Sequence, residues 1–196
     1  LLWRLLRFLG PLKPAGTNLL RSLGLLNTGF YDCEMEGVMP EKYPRGISDG
    51  LAKTIRNELA TLREILEHSR SISSLYEQEL CRSDDTGTNK IACVEHPGEP
   101  VPAFARFPLL CATEELRNNV REALTGAGYK VGDWYDPVIW PPRTDLGKMK
   151  YLGSDPLAES ASSRILNLPT GLNIKKPDVT AITKIIADTV RDSTSK

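Results

Sequence analysis

Apolar residues recur at intervals of three and four positions between Ile47 and Leu80, with Arg, Glu and Ser among the residues between them. This period predicts one long helix with a single buried stripe. Ser48 can cap the first amide groups, and Pro44 disfavours helical geometry at Tyr43, so the helix is expected to begin near Ser48. A helix of this length extends roughly 45–50 Å. It is therefore expected to bridge two domains or to lie along a subunit interface.

A compact α/β unit is predicted after that helix, because strand-like and helix-like segments alternate from residue 101 to residue 191. Pro102 and Pro108 restrict the first strand to an edge or to short pieces, since proline cannot donate a ladder hydrogen bond. Residues 83–100 are typical of a loop with one weak strand. The predicted elements are strands at Val101–Cys111, Tyr129–Trp134 and Arg164–Leu168, helices opened by Thr113 and by Pro177, and a proline-rich loop at Asp136–Gly153. Together they describe a small sheet covered by two helices.

Residues 1–29 are rich in leucine and carry four cationic side chains and no acidic one. One interpretation is a pair of interfacial helices that makes weak peripheral contact with an anionic membrane. The other is an internal segment whose apolar face is covered by another part of the protein. Gly10-Pro11 and Lys13-Pro14 divide the segment into pieces too short to be stable helices alone, which favours the second interpretation.

Charge and cysteine content narrow the function classes. Twenty-five Lys and Arg residues balance twenty-five Asp and Glu residues, so no bulk field favours nucleic acid as a partner. The four cysteines lack a CxxC pair, and only His68 and His96 could join them around a metal. We therefore expect no metal site, and four reduced, mostly buried thiols in a cytoplasmic protein. The cysteines are Cys33, Cys81, Cys93 and Cys111.

Five stretches between about residues 40 and 190 form an ordered set. They are RGISDGLAKTIRNELATLREILEHSRSISSLYEQEL, FARFPLL, LRNNVREALTGAGYKVGDWYDPVIWP, YLGSDPLAESASSRILNLPTGLNI and PDVTAITKIIADTV. The most specific piece is the run from Ala158 to Thr170, which no single propensity rule would generate. In this order the stretches resemble the C-terminal half of DegT-type sugar aminotransferases.

The resemblance implies the C-terminal small domain of a fold-type-I aminotransferase, an α/β fold with a small sheet covered by helices and preceded by a long interface helix. In this family the large domain carries a lysine in Schiff-base linkage to pyridoxal phosphate, which acts as an electron sink. The amino group, commonly from glutamate, passes to a nucleotide-linked keto-sugar, and two subunits share each active site. The resemblance thus implies a homodimer with pyridoxal phosphate as cofactor and a nucleotide-sugar as substrate.

The resemblance also divides the chain. Residues 1–40 are expected to be a lead-in that belongs to the large domain, residues 41–82 the turn and bridging helix, and residues 83–196 the α/β small domain. The order of the motifs places the lysine-bearing half before Leu1, and no lysine lies in the family's serine-preceded context. We therefore expect a C-terminal fragment that is catalytically silent alone. The alternative is a non-catalytic binding or assembly module derived from the small domain.

Candidate ligands lie in two places. The turn at 43–48 stands where the family has an Asn-Tyr-Arg turn that reaches the neighbouring subunit's phosphate site, although two positions depart from that pattern. Arg45 and Tyr43 are accordingly the predicted cofactor-phosphate ligands; the alternative for Arg45 is a turn cap or a surface ion pair. Arg164 is the predicted substrate ligand, for a carboxylate or a nucleotide phosphate. Its alternative is a structural ion pair with Glu159.

Overall fold

The computed structural model describes residues 15, 22, 32–41, 43–44, 46–81, 90–93, 102–132, 138–139 and 145–193. The chain forms two compact units. The first is Leu1–Pro44 with Arg143–Tyr151, and the second is Arg45–Pro142 with Leu152–Lys196. The predicted amphipathic segment 1–29 lies outside the described residues, apart from Ala15 and Ser22.

The described part of the first unit is a short helix and two loop segments. Helix α1 spans Asp32–Met35. Gly37 follows with a φ of +74°, and a Cβ at this position would lie 3.2 Å from the Met149 sulfur. Glycine therefore suits this position on two counts, the backbone angle and the close neighbour. Lys148 Nζ pairs with the Glu36 carboxylate at 3.0 Å, which joins the two segments of the unit.

The predicted long helix is in fact two helices. They are α2 at Asp49–Leu59 and α3 at Leu62–Tyr76, and α3 continues into a π-helical turn at Glu77–Cys81. The predicted start is confirmed, because Ser48 Oγ accepts a 3.4 Å hydrogen bond from Leu51 N. The predicted continuity is wrong. At the break, Thr61 Oγ1 donates to Glu58 O at 2.9 Å, and this local bond competes with a regular helix.

The apolar stripe along these helices is buried at one end only. In α3 the stripe enters the core, where Ile72 and Tyr76 are 2% and 0% exposed. In α2 and at the start of α3 the same stripe faces outward within its unit, and its burial against another domain or a second subunit stays a prediction. The exposed apolar residues, called the α2 stripe below, are Ile47, Leu51, Ile55, Leu59 and Leu62.

A three-stranded antiparallel sheet forms the centre of the second unit, in the order β1-β2-β3. Its strands are β1 at Ile91–Cys93, β2 at Arg106–Cys111 and β3 at Ile165–Pro169. The weak strand expected within 83–100 is therefore present as β1. Of the two alternatives for the proline-containing strand, the edge position is wrong, because β2 pairs on both sides. The strand is instead a shorter piece, Arg106–Cys111, of the predicted Val101–Cys111.

Pro108 is tolerated in this central strand for a geometric reason. It lies opposite Asn167 of β3, and the backbone N and O of Asn167 both bond to Gly132 at 2.8 and 2.9 Å, away from β2. Pro108 and Asn167 are thus a non-hydrogen-bonded pair of the β2–β3 ladder, so β3 needs no N–H donor from Pro108. On the other side, β1 pairs with β2 from Leu109 to Cys111. Among the described strand pairs, no ladder bond is therefore lost at Pro108.

The segment before β3 is helical, which the sequence analysis missed. Helix α5 spans Pro156–Arg164, and Asp155 Oδ1 caps it by accepting from Ala158 N at 3.0 Å. Arg164 therefore ends a helix and does not begin the strand. The strand predicted at Tyr129–Trp134 is represented by a single bridge at Gly132, and residues 133–137 lie outside the described residues.

Both predicted helices are present, and they pack against each other. They are α4 at Glu114–Gly126 and α6 at Lys176–Asp192. Thr113 Oγ1 caps α4 by accepting from Leu116 N at 3.1 Å, and Asp178 Oδ2 accepts from Lys175 N at 2.8 Å at the start of α6. The core they enclose includes Phe107, Leu109, Val120, Leu124, Leu166, Leu168, Val179, Ile182, Ile186 and Val190.

The cysteines differ from the prediction of four reduced thiols. Cys81 and Cys93 form a disulfide, with their Cα atoms 6.0 Å apart. Cys33 is half-buried and Cys111 is buried, and both are free thiols. Sequence spacing did not indicate this pairing, because the two partners are brought together only by the packing of the π-helical turn beside β1.

Candidate functional site

The predicted phosphate-binding turn is partly described. Tyr43 is 65% exposed, and its backbone N donates to Pro40 O at 3.0 Å. Its ring is therefore accessible from solvent within its own unit. Arg45, the other predicted ligand, lies outside the described residues. The roles of Tyr43 and Arg45 stay predictions.

The Arg164 guanidinium binds protein oxygens on two elements. Its Nε and one Nη donate to the carbonyl and hydroxyl oxygens of Ser160, at 2.9 and 2.8 Å. The other Nη lies 3.4 Å from Ala112 O, just beyond β2. These bonds, all to neutral oxygens, join the end of α5 to the end of β2, and the alternative ion pair with Glu159 stays a prediction. A substrate contact by the remaining N–H groups stays a prediction.

A junction between α3 and the end of β3, which the sequence analysis missed, is held by hydrogen bonds from three side chains of α3. Tyr76 Oη donates to Pro169 O at 3.1 Å, and Ser69 Oγ donates to Thr170 O at 3.5 Å. His68 Nε2 lies 3.0 Å from Gly171 O, and since a carbonyl only accepts, this nitrogen carries the proton. Three side chains of one helix thus bind three successive carbonyls.

Thr170 holds the same segment from the other side. Its Oγ1 lies 2.8 Å from both Phe104 O and Ala105 O, and the residue is 1% exposed. Phe104 in turn packs edge-on against Phe107, with ring centroids 5.7 Å apart. The end of the family-like run 158–170 is therefore fixed between α3 and the segment leading into β2.

Burial favours the protonated forms of two side chains, the Tyr76 phenol and the Cys111 thiol. Burial, followed by the nearby carboxylate of Asp178, raises the pKa of Tyr76 far above its usual range. Burial also raises the pKa of Cys111 from 9.0 to about 11, although Arg117 and Arg164 act in the opposite direction. A thiol in this state is a poor nucleophile at neutral pH, so Cys111 is a structural residue.

The raised pKa of Cys111 predicts an alkaline loss of stability. Between pH 9 and about 11 the folded thiol keeps its proton while the unfolded thiol loses it, so stability present below pH 9 declines as pH rises. The slope reaches at most about 1.4 kcal/mol per pH unit for this group. Urea unfolding at pH 8, 9 and 10 measures it.

The control for this prediction is Cys111→Ala, compared with Cys33→Ser at each pH. We expect a shallower slope in Cys111→Ala alone, whatever its stability at pH 8. Equal slopes in the wild type and both variants would show that the Cys111 thiol is not perturbed by burial.

A pocket of about 590 Å³ lies between the start of α4 and the end of α6. Lys90 Nζ reaches into it and donates to the Ser193 carbonyl and hydroxyl at 3.1 and 3.3 Å. Its lining consists of Lys90, Ala112, Thr113, Glu115, Leu116, Asn119, Thr189, Asp192 and Ser193.

This pocket does not fit pyridoxal phosphate. A dianionic phosphate needs several cationic or amide donors, yet the lining supplies two carboxylates, Glu115 and Asp192. Lys90 is its single cation, and a Schiff-base lysine cannot also neutralise the phosphate. This pocket is therefore not a site for pyridoxal phosphate. Among all the residues that the structure describes, no three His, Cys, Asp or Glu side chains form a cluster that could hold a metal ion. No described helix is long and apolar enough to cross a bilayer.

Comparison with solved structures identifies the fold. Spr1654 of Streptococcus pneumoniae in its PLP form has a TM-score of 0.62 and 17% identity, over 75% of this chain and 36% of that protein. A DegT DnrJ EryC1 StrS aminotransferase of Brucella abortus has a TM-score of 0.55 and 22% identity, over 70% and 34%. DesV of S. venezuelae, solved with a ketimine intermediate, has a TM-score of 0.54 and 20% identity, over 71% and 36%.

These matches confirm the α/β small-domain fold expected from the resemblance. The chain spans about a third of the length of the solved structures it matches. No curated protein sequence matches the chain significantly. The model of the DegT/DnrJ/EryC1/StrS aminotransferase family matches residues 25–187. Since this match covers most of the sequence, the chain belongs to the DegT/DnrJ/EryC1/StrS aminotransferase family.

Proposed function

We propose that this chain is the small-domain portion of a pyridoxal-phosphate-dependent enzyme that transfers an amino group from glutamate to a nucleotide-linked keto-sugar. The family match over residues 25–187 carries the proposal. The fold shared with solved sugar aminotransferases supports it. A cytoplasmic location is part of the proposal, since nucleotide-linked sugars are substrates of the cell interior.

In this proposal the cofactor and its lysine lie in the part of a full-length relative that this chain does not span. The cofactor supplies an electron sink for the amino transfer. The residues described here supply a rigid frame, in which Tyr76 and Thr170 fix the end of β3 between α3 and β2. Arg45 and Tyr43 are proposed to reach the cofactor phosphate, and Arg164 to contribute to substrate binding.

The test compares this chain alone with the protein in which it is joined to a family large domain. We expect amino transfer from glutamate, followed as 2-oxoglutarate release, in the joined protein only. Borohydride treatment with pyridoxal phosphate should label one lysine of the large domain and none of this chain, including Lys90. A specific adduct on this chain, or no amino transfer to any nucleotide-linked keto-sugar by the joined protein, would contradict the proposal.

A variant of Arg45 tests the proposed phosphate contact. Loss of a charge-assisted hydrogen bond costs about 1.5–3 kcal/mol, so Arg45→Ala should raise the Kd for pyridoxal phosphate roughly 10- to 100-fold in the joined protein. Tyr43→Phe should raise it by less than about tenfold. The matched control is Arg56→Ala, an exposed arginine on α2. Equal cofactor affinity in Arg45→Ala and Arg56→Ala would remove Arg45 from the site.

We further propose that the α2 stripe is covered by a second copy of the protein, as part of a homodimer. Five large apolar side chains along one helical face, all more than a third exposed, exceed the scattered exposure usual for a monomer. The alternative, a non-catalytic assembly module, uses the same face. The joined-protein assay separates the two, since a module pairs without transferring an amino group.

The dimer proposal predicts a defined effect of one charge. Leu51→Glu places a carboxylate within the stripe, and burying it in an interface should raise the dimer Kd at least about tenfold. Lys53→Glu, exposed on the same helix outside the stripe, is the control. Sedimentation over a range of concentrations measures both. A dimer unaffected by Leu51→Glu would place the subunit contact elsewhere.

A further inference from the structure

The disulfide joins two elements that are held with different strength. Cys81 is exposed at the end of the π-helical turn, and Cys93 is half-buried at the end of β1, twelve positions later. Their Cα atoms are 6.0 Å apart, within the range that disulfides bridge. One partner is therefore open to reagents in solution, and the other lies against the sheet.

The π-helical turn is the firmly held partner. Leu80 is 4% exposed and belongs to the core. The Glu79 carboxylate accepts hydrogen bonds from Thr180 Oγ1 at 3.2 Å and from Thr183 Oγ1 at 2.5 Å, both on α6. Cys81 thus ends a turn that is held by the burial of Leu80 in the core and by the hydrogen bonds of Glu79 to α6.

Strand β1 is the weakly held partner. It is three residues long, and within the described part of the chain it lies at one end of the strand order and pairs with β2 alone. Its first and last residues are half-buried and its middle residue is exposed. A short edge strand of this kind opens readily, because few hydrogen bonds and little buried surface hold it. The covalent bond to Cys81 therefore ties the end of β1 to the π-helical turn, whereas Lys90, just before β1, is bound to Ser193 at the end of α6.

A third cysteine lies close to the pair without joining it. Cys111 of β2 lies opposite Ile91, on the same face of the sheet as Cys93 and diagonal to it. Cys111 is 0% exposed, and burial keeps its thiol protonated, with a pKa of about 11. Exchange through Cys111 is therefore slow at neutral pH, and the exposed Cys81 is the entry point for a reagent in solution.

We propose that Cys81 and Cys93 are a reversible thiol–disulfide pair that controls how firmly β1 is attached to the helical layer. In a reducing compartment, disulfides that form are usually redox-responsive, which fits the cytoplasmic location proposed above. The proposal itself needs only the exposed entry point and the weakly held strand.

The proposed oxidant is a low-molecular-weight disulfide of the glutathione class. The Cys81 thiolate attacks one of its sulfurs, the small S–S bond breaks, and one small thiolate leaves. The Cys93 thiolate then attacks the Cys81 sulfur, and the second small thiolate leaves. In total the two protein thiols lose two electrons and two protons, and the small disulfide is reduced to two thiols. Reduction follows the same steps in reverse.

The test follows the full chain in native glutathione buffers that range from reduced to oxidised. After alkylation, mass spectrometry should show a peptide linked through Cys81 and Cys93 that appears and disappears with the redox ratio, with Cys111 unlabelled until the chain is denatured. Hydrogen exchange of the peptide containing β1 should be at least about tenfold faster in the reduced chain. Exchange of the peptide containing Leu166 and Leu168 should be equal in both states.

Variants separate the switch from a general loss of structure. Cys93→Ser should exchange at β1 like the reduced wild type in every buffer, whereas Cys33→Ser should keep the redox response. Cys81→Ser gives the same readout if Cys93→Ser does not fold, because Cys81 is exposed. Three results would each overturn the proposal: no linked peptide at any ratio, a link that opens only after denaturation, or equal exchange at β1 in both states.

Discussion

Tyr76→Ala is expected to lower the free energy of unfolding by about 4 kcal/mol. The Tyr76 ring is 0% exposed and packs against Phe107, with ring centroids 5.3 Å apart. Its hydroxyl also donates to Pro169 O, so the substitution leaves a cavity and a buried carbonyl without this donor. Urea unfolding followed by circular dichroism measures the change.

Two companion variants divide this effect. Tyr76→Phe keeps the ring and removes the hydroxyl, and should cost about 1–2 kcal/mol. Tyr43→Ala removes a tyrosine that is 65% exposed and should change stability by less than about 0.5 kcal/mol. If Tyr76→Ala cost no more than Tyr43→Ala, the junction between α3 and β3 would not be a stabilising contact.

Helix boundaries were predictable where the signal is local. Ser48 and Thr113 each accept an amide hydrogen bond three residues later, so the capping residue and its partner lie within one turn of chain. Pro177 likewise lies in the first turn of α6, where its missing N–H costs nothing. The same kind of signal, Asp155 before Pro156, is present at α5, just after the proline-rich loop 136–153.

Features that depend on distant partners were not predictable in this way. Pro108 made β2 look like an edge strand, yet Asn167 turns its amide toward Gly132 and removes the conflict. The break at Thr61 reflects a side-chain bond that competes with the helix, although the apolar period continues across it. Neither outcome can be derived from a period of apolar residues.

The candidate site shows the same division. The order of the motifs identified the family, because it samples the whole chain. The roles of individual residues could not be predicted from that order. His68 and Tyr76 bind backbone carbonyls about a hundred residues away, and no rule based on sequence spacing predicts such contacts. Arg164 was singled out by its place before a strand, whereas its neighbours Ser160 and Ala112 are set by α5 and β2.

Leu109→Ala should produce the second large loss, about 3 kcal/mol in the free energy of unfolding. Leu109 is 0% exposed in the central strand, where it lies opposite Cys93 on one side and Leu166 on the other. Side chains opposite each other on one face of a sheet pack together, so truncation leaves a cavity shared by three strands. Urea unfolding with an unchanged m-value would show that the fold is retained.

The adjacent residue supplies the sharpest control. Leu110 is half-buried on the other face of β2, so Leu110→Ala should lower the free energy of unfolding clearly less than Leu109→Ala does. Leu152 is 87% exposed, so Leu152→Ala should leave the free energy of unfolding almost unchanged. Successive residues of a strand point to opposite faces, and a register shift of one residue would exchange their environments. A larger loss for Leu110→Ala than for Leu109→Ala would therefore mean that β2 presents the opposite face to the core, and that its pairing with β1 and β3 is shifted.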